Sequence, residues 1–150
     1  MDGQKKMEAY MEKTMNENNV VQKDILNGMM RSENVSCSYE EKTITLGFPM
    51  QPWQANRVGF MHGGAICTAF DITMAALARF YARENFAPTV SLDLKYIRPV
   101  KMGDTVLVTA KALSSGKRIT QIACEAKSKN TGKTVATGAS IYLNIDTTRE

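Results

Sequence analysis

From Thr89 to Leu143 the chain alternates apolar and polar residues with a period of two, and the pattern survives three turns. Val90, Leu92, Leu94 and Tyr96 alternate with Ser91, Asp93 and Lys95. Pro99, Gly103 and Asp104 mark a turn. Val106, Val108, Ala110 and Ala112 then alternate with Leu107, Thr109 and Lys111. Ser115-Gly116 is the next turn, before Ile122, Cys124 and Ala126. Asn130-Thr131-Gly132 is the third, before Val135, Thr137, Ala139, Ile141 and Leu143. A period of two places successive side chains on opposite faces of a strand, and short turns force neighbouring strands to run antiparallel. The expectation is four strands in an antiparallel meander.

Before them lies "GFMHGGAICTAFDITMAALA", Gly59 to Ala78, whose apolar run reads as a helix over roughly 63–82. Ile66, Phe70, Thr73, Leu77 and Phe80 fall on one face, and Cys67, Asp71, Met74, Ala75 and Ala78 on another. A helix apolar on most of its surface must be buried nearly all round. A curved antiparallel sheet wrapped around it does that, so the expected class is α+β. Upstream, "VSCSYEEKTITLGFPM" reads as two short strands, 35–39 and 43–49, joined at Glu40-Glu41. Residues 5–17 read as a polar helix with a Met/Tyr stripe (Met7, Tyr10, Met11, Met15). Residues 20–31 read as a second, with Val21, Ile25 and Leu26 at helical spacing and Gly28 as an interruption.

Composition narrows the function classes. The 150 residues suit one folded core, and the +4 charge is spread without a basic run, so neither nucleic acid nor a membrane surface is indicated. Cys37, Cys67 and Cys124 are odd in number and lack CxxC spacing, which argues against a disulfide framework and a zinc ribbon. A single histidine excludes sites built from several imidazoles, so no metal site is expected. The charged N-terminus "MDGQKKMEAYMEKTMNENN" has no apolar core, and the low-charge run Gly63 to Ala78 is short for a bilayer span. The expected location is the cytoplasm.

Asp71 carries the chemical question. Lys and Arg are absent between Arg57 and Arg79, so no neighbour one helical turn away can pair with it. Two readings stand side by side. One is an acid that meets solvent or a backbone donor at an interface. The other is a carboxylate lining a pocket, able to act as a general base on water or as a nucleophile. Gly63-Gly64 sits where the helix begins, where unpaired N–H groups and partial positive charge collect. Without a Cβ there, a ligand oxygen can approach the backbone as in an oxyanion hole. Cys67, one turn before Asp71, reads as a nucleophile or as a small buried thiol, and the second suits its setting better.

"NRVGFMHGGAICTAFD" resembles the signature of the hotdog-fold acyl-CoA thioesterases, in particular the PaaI-like group with its N…G…HGG…D pattern. "VSLDLKYIRPVKMGDTVLVTAKALSSGKRITQIACEAKSKNTGKTVATGASIYL" is similar to that group's strand region, and the likeness spans roughly residues 35–145. The resemblance implies a hotdog domain over 33–150, with residues 1–32 a helical segment docked on it. It implies homodimers or homotetramers with active sites at the subunit interface, and thioester hydrolysis without a cofactor. Asp71 matches the general base or nucleophile, and Gly64 matches the amide that polarises the thioester carbonyl. Asn56 and His62 match loop residues that shape the site and help place the carbonyl or water, and Gly63 beside them is a substrate-binding candidate. Ser91 matches a hydroxyl that some relatives lend from the neighbouring chain.

Coenzyme A carries phosphates, so basic groups should ring the pocket mouth. Arg98, Lys117 and Arg118 lie at strand ends or turns and are candidates, each equally readable as a solvated surface charge. Phe60, Met61, Met74, Phe80 and Tyr81 read either as lining for the acyl group or as core. Two other classes compete. One is a non-catalytic acyl-CoA-binding module on the same fold. The other is a hotdog dehydratase, whose His/acid pair belongs to a different local pattern.

Overall fold

The strands expected from the period-two pattern form, and they form around one helix. The computed structural model describes residues 2–146. Its elements in chain order are α1 (Gly3–Asn16), α2 (Leu26–Met29), β1 (Glu33–Ser38), β2 (Thr43–Pro49), α3 (Gly63–Tyr81), β3 (Thr89–Tyr96), β4 (Thr105–Ser115), β5 (Ile119–Ser128) and β6 (Thr134–Leu143). A π-helical turn, Glu17–Val21, extends α1, and a short 3-10 turn, Pro52–Gln54, precedes α3. All six strands make one antiparallel sheet in the order β1-β2-β4-β5-β6-β3.

α3 touches β2, β3, β4, β5 and β6, so the sheet wraps it, the α+β hotdog arrangement. By length and composition α3 could cross a bilayer, and it runs past the Ala78 at which the low-charge stretch ends. Its burial inside the sheet gives its apolar surface another explanation: Ile66, Ala69, Phe70, Met74, Leu77 and Ala78 are buried against the strands. The facing strands supply Ile44, Leu46, Phe48, Val106, Val108, Ala110, Ile122 and Ala126.

The four-strand meander is corrected to three. β4, β5 and β6 follow one another, but β3 pairs with β6 at the far edge. The reason lies in the connection 97–104, which crosses the start of α3 instead of turning back. Ile97 and Arg98 both donate backbone N–H groups to the Val135 carbonyl, Met61 donates to the Val100 carbonyl, and Phe60 bridges Lys101. The sheet therefore closes round α3 from both sides, and β1 and β3 are left as edges.

The second expected helix, 20–31, is corrected to one turn, α2. Val21, Ile25 and Leu26 are all exposed, so helical spacing there does not mark a buried face. Gly28 does not interrupt that turn; it permits it. A Cβ on Gly28 would lie 2.3 Å from the Gln22 carbonyl oxygen, far inside van der Waals contact. α1 places Met7, Tyr10 and Met11 in the core, and the Tyr10 hydroxyl donates to the Ala76 carbonyl of α3 at 2.7 Å.

Candidate active site

The loop before α3 is built around Asn56. Its Oδ1 accepts from the N–H groups of Val58 and Phe60, both at 3.0 Å. Its backbone N–H donates to the Phe60 carbonyl at 2.7 Å. Gly59 takes φ +87°, the left-handed conformation that lets the loop turn. With Oδ1 engaged, the Asn56 amide NH2 makes no hydrogen bond among the described residues and is available to a ligand.

His62 caps α3. Its backbone N–H donates to the Gln54 carbonyl at 2.7 Å, and its Nδ1 accepts from the Gly64 N–H at 2.8 Å. Because Nδ1 is the acceptor, the neutral ring carries its proton on Nε2. The exposed Gly64 amide thus has an internal partner, and a substrate oxygen must share or displace it. Gly63 is pinned from β3: the Tyr96 hydroxyl donates to its carbonyl at 2.9 Å. A Cβ on Gly63 would meet the Tyr96 ring at 3.3 Å, so a side chain there would crowd that ring.

Asp71 lies two turns further along. Gly64, Cys67, Thr68, Asp71 and Ala75 form one stripe of α3, and none of the five is fully buried. The Tyr142 hydroxyl of β6 donates to Asp71 Oδ1 at 2.7 Å, and the Thr89 hydroxyl of β3 donates to the same oxygen at 2.8 Å. Oδ2 receives no hydrogen bond among the described residues. Burial first, and the Asp71 charge second, push the Tyr142 phenol far above the ordinary tyrosine range, so it remains a donor. Burial first, and Asp71 second, also raise the Cys67 thiol, which fits a small inert thiol.

Thr89 and Tyr142 are missing from the residues expected from sequence. Thr89 is hidden by a bulge. Thr89 pairs with Tyr142 and Ser91 with Ile141, so Val90 is one residue extra. The extra residue flips the alternation and brings Thr89 to the helix face beside Leu92 and Leu94. The same register leaves Ser91 exposed on the outer face, where it cannot reach Asp71 of its own chain. Tyr142 had a signal: it is the one large side chain on a strand face otherwise made of Ala136, Gly138 and Ser140.

The remaining candidates separate into two groups. Asn56, His62, Gly63 and Gly64 gather at the start of α3. Arg98 lies at the same end, where its guanidinium donates to the Thr134 carbonyl at 2.7 Å and lines a cavity of about 250 Å³ with Lys101 and Lys133. Lys117 and Arg118 sit in the β4–β5 hairpin, at the opposite end of β5 and β6, around a second cavity of about 840 Å³. Three of the cations thus meet at one end, while two of those expected from sequence lie at the other.

Comparisons with known proteins agree with this fold. The sequence model of the thioesterase superfamily matches residues 58–135. Human acyl-coenzyme A thioesterase 13 is 28% identical over 128 residues, which cover 77% of this chain and 89% of the relative. The Escherichia coli PaaI protein from the phenylacetic acid degradation operon superposes with a TM-score of 0.79 at 20% identity, covering 97% of each chain. A Streptococcus mutans protein bound to acetyl CoA superposes with a TM-score of 0.67 at 20% identity, covering 76% of this chain and 88% of that one.

Proposed function

The chain belongs to the thioesterase superfamily, and from that premise we propose that it hydrolyses an acyl-CoA thioester to a carboxylic acid and free coenzyme A. The observation that carries the reading is Asp71. It is the one ionisable carboxylate on α3, one of its oxygens is fixed by two hydroxyls, and the other is open. Such a group can take the proton of an attacking water as a general base, or attack the thioester carbon itself. In either route the carbonyl oxygen gains negative charge, the C–S bond breaks, and coenzyme A leaves as its thiolate; in the second route water then cleaves the anhydride formed on Asp71, which releases the carboxylic acid and restores the carboxylate. The Gly64 amide at the N-terminus of α3 is the donor for that oxygen, relieved of its bond to His62. The His62 Nε2–H and the free Asn56 amide are at hand to place the carbonyl or the water. The name of the human relative supports coenzyme A as the carrier.

One chain does not unite these groups, because seven residues of helix separate Gly64 from Asp71 by roughly 10 Å. Edge strand β3 offers the remedy. One end, Thr89, is bonded to Asp71, and the other end, Tyr96, is bonded to Gly63. Two β3 edges pairing antiparallel about a two-fold axis bring the Asp71 end of one chain to the Gly64 end of the other. That pairing forms two sites per dimer and carries Ser91 toward the partner's site. Arg98 with Lys101 and Lys133, at the Gly64 end, form the basic mouth for phosphates.

The test is thiol release from a panel of acyl-CoAs by wild type and Asp71→Ala. Wild type should turn over at least one substrate, and Asp71→Ala should lose about 10²–10⁴-fold in kcat. A wild type that binds coenzyme A and hydrolyses nothing would establish the binding-module reading instead.

A further inference from the structure

Resting on the thioesterase reading, we propose that the acyl group is received by an apolar cavity that the N-terminal segment and the turn at Trp53 build over the start of α3, and that this cavity selects compact acyl groups over long fatty chains. The residues that sequence alone puts forward as acyl lining do not line it. Met61 and Met74 are buried in the core, and Phe80 is packed among the rings of Tyr10, Tyr39 and Tyr81. A cavity of about 210 Å³ opens instead beside His62 and Gly64, with Leu26, Met30 and Trp53 as its walls and Thr68 on its floor.

Its polar groups are already satisfied, apart from the His62 ring nitrogen left free at its edge. The Thr68 hydroxyl donates to the Gly64 carbonyl at 2.9 Å. Gln54, also on the wall, accepts from the Gln51 N–H at 2.9 Å and directs its amide onto the Met30 sulfur at 3.2 Å. A cavity that offers no unpaired donor or acceptor in its depth favours an apolar occupant. The wall is also fastened to the chemistry. The Gln51 side chain donates to the Met29 carbonyl at 2.7 Å, and the Gln54 carbonyl accepts from the His62 N–H at 2.7 Å. Leu26 and Trp53 are each about half exposed, 53% and 50%. Their apolar surface at the rim contributes little to the core and is available to a ligand.

Volume decides the class. At roughly 30 Å³ per heavy atom, the share of a water molecule in the liquid, the cavity holds about seven atoms. A hexanoyl chain, or the seven-carbon benzyl part of a phenylacetyl group with its carbonyl left at the rim, fits this, and a sixteen-carbon chain does not. Leu26, Met30 and Trp53 all precede residue 58, where the match to the superfamily begins. The bulky apolar walls thus come from outside that match, while His62, Gly64 and Thr68 come from inside it.

The experiment is steady-state hydrolysis of acetyl-, hexanoyl-, phenylacetyl- and palmitoyl-CoA by the full chain, by Trp53→Ala and by Leu26→Trp. Wild type should favour hexanoyl- or phenylacetyl-CoA over palmitoyl-CoA by at least tenfold in kcat/KM. Trp53→Ala should narrow that ratio by about tenfold, since a few methylenes in an apolar pocket are worth that much. Leu26→Trp should depress hexanoyl and phenylacetyl turnover relative to acetyl. Both side chains are half exposed, and melting curves identify a variant that is merely unfolded; if Trp53→Ala is, Leu26→Trp decides alone. Active enzymes with one shared acyl profile, or a wild type that prefers palmitoyl-CoA, overturn the cavity and leave the thioesterase reading standing. A wild type inert on all four, and on the wider acyl panel, overturns both.

Discussion

At the scale of single residues, the consequential feature is the asymmetry at Asp71. Tyr142 and Thr89 both donate to Oδ1, which fixes the plane of the carboxylate while Oδ2 stays uncommitted. A base that is oriented but not neutralised needs this arrangement, because a second donor on Oδ2 would compete with water. Hydrogen bonds to a charged group are worth about 1.5–3 kcal/mol. Tyr142→Phe keeps the buried ring and removes one of the two bonds. It should lower kcat about ten- to a hundredfold with little change in KM, measured by steady-state thiol release. A loss confined to KM would mean that the hydroxyl serves binding and not orientation. Nearby, the Gly64 amide donates to His62 Nδ1, so in the proposed site a substrate carbonyl must share or displace that bond.

At the scale of elements, what is legible in the sequence depends on which face carries bulk. β4 and β5 read correctly because Val106, Val108 and Ala110, and Ile122, Cys124 and Ala126, are the faces that touch α3. β6 misleads, because the face toward α3 is Ala136, Gly138 and Ser140, kept small so that the helix can come close, with Tyr142 the one large side chain. A Cβ on Gly138 would lie 2.7 Å from the Asp93 carbonyl oxygen and 3.1 Å from the Phe70 ring. Gly138→Ala should therefore destabilise the fold by about 1–3 kcal/mol, the range for overpacking, and lower Tm by several degrees in a thermal melt. β3 misleads for another reason, since a bulge leaves no mark on a period-two pattern. The loop motif with Asp71 is legible because its residue types are chemically distinctive. The proposed acyl wall is not, because Leu26 and Trp53 lie in single short turns, where spacing does not mark a face. α1 adds a pH signature. Burial pushes the Tyr10 phenol from 10.0 to about 12. The fold holds the protonated form, so this contribution is intact below pH 10 and is lost as pH rises from about 10 through 12. Unfolding free energies from urea titrations at pH 8 and pH 11.5 should differ by about 2 kcal/mol more for wild type than for Tyr10→Phe. Equal losses in both proteins would assign the alkaline transition to other tyrosines.

At the scale of the whole molecule, the sheet has two edge strands, and β3 is the one bonded to both Asp71 and Gly63. β1 lies beside α1, at the opposite edge of the sheet from the strand bonded to Asp71. β3 carries a bond to Asp71 at one end and to Gly63 at the other, and its outward side chains include Ser91. An exposed edge strand is a template for a second chain, and antiparallel self-pairing reverses its ends. Each proposed site then takes Gly64 from one chain and Asp71 from the other, which makes genetic mixing decisive. Asp71→Ala lacks the base. Gly64→Val puts a branched side chain where the carbonyl must approach the amide, and each variant alone should be close to inactive. Unfolded together and refolded as a mixture, half of the dimers contain one chain of each kind. In these, one site has both Gly64 and Asp71 intact and the other has neither. Activity should return to about a quarter of the wild-type rate per chain. If Asp71 and Gly64 of the same chain made the site, every site in the mixture would lack one group or the other, and mixing would restore nothing.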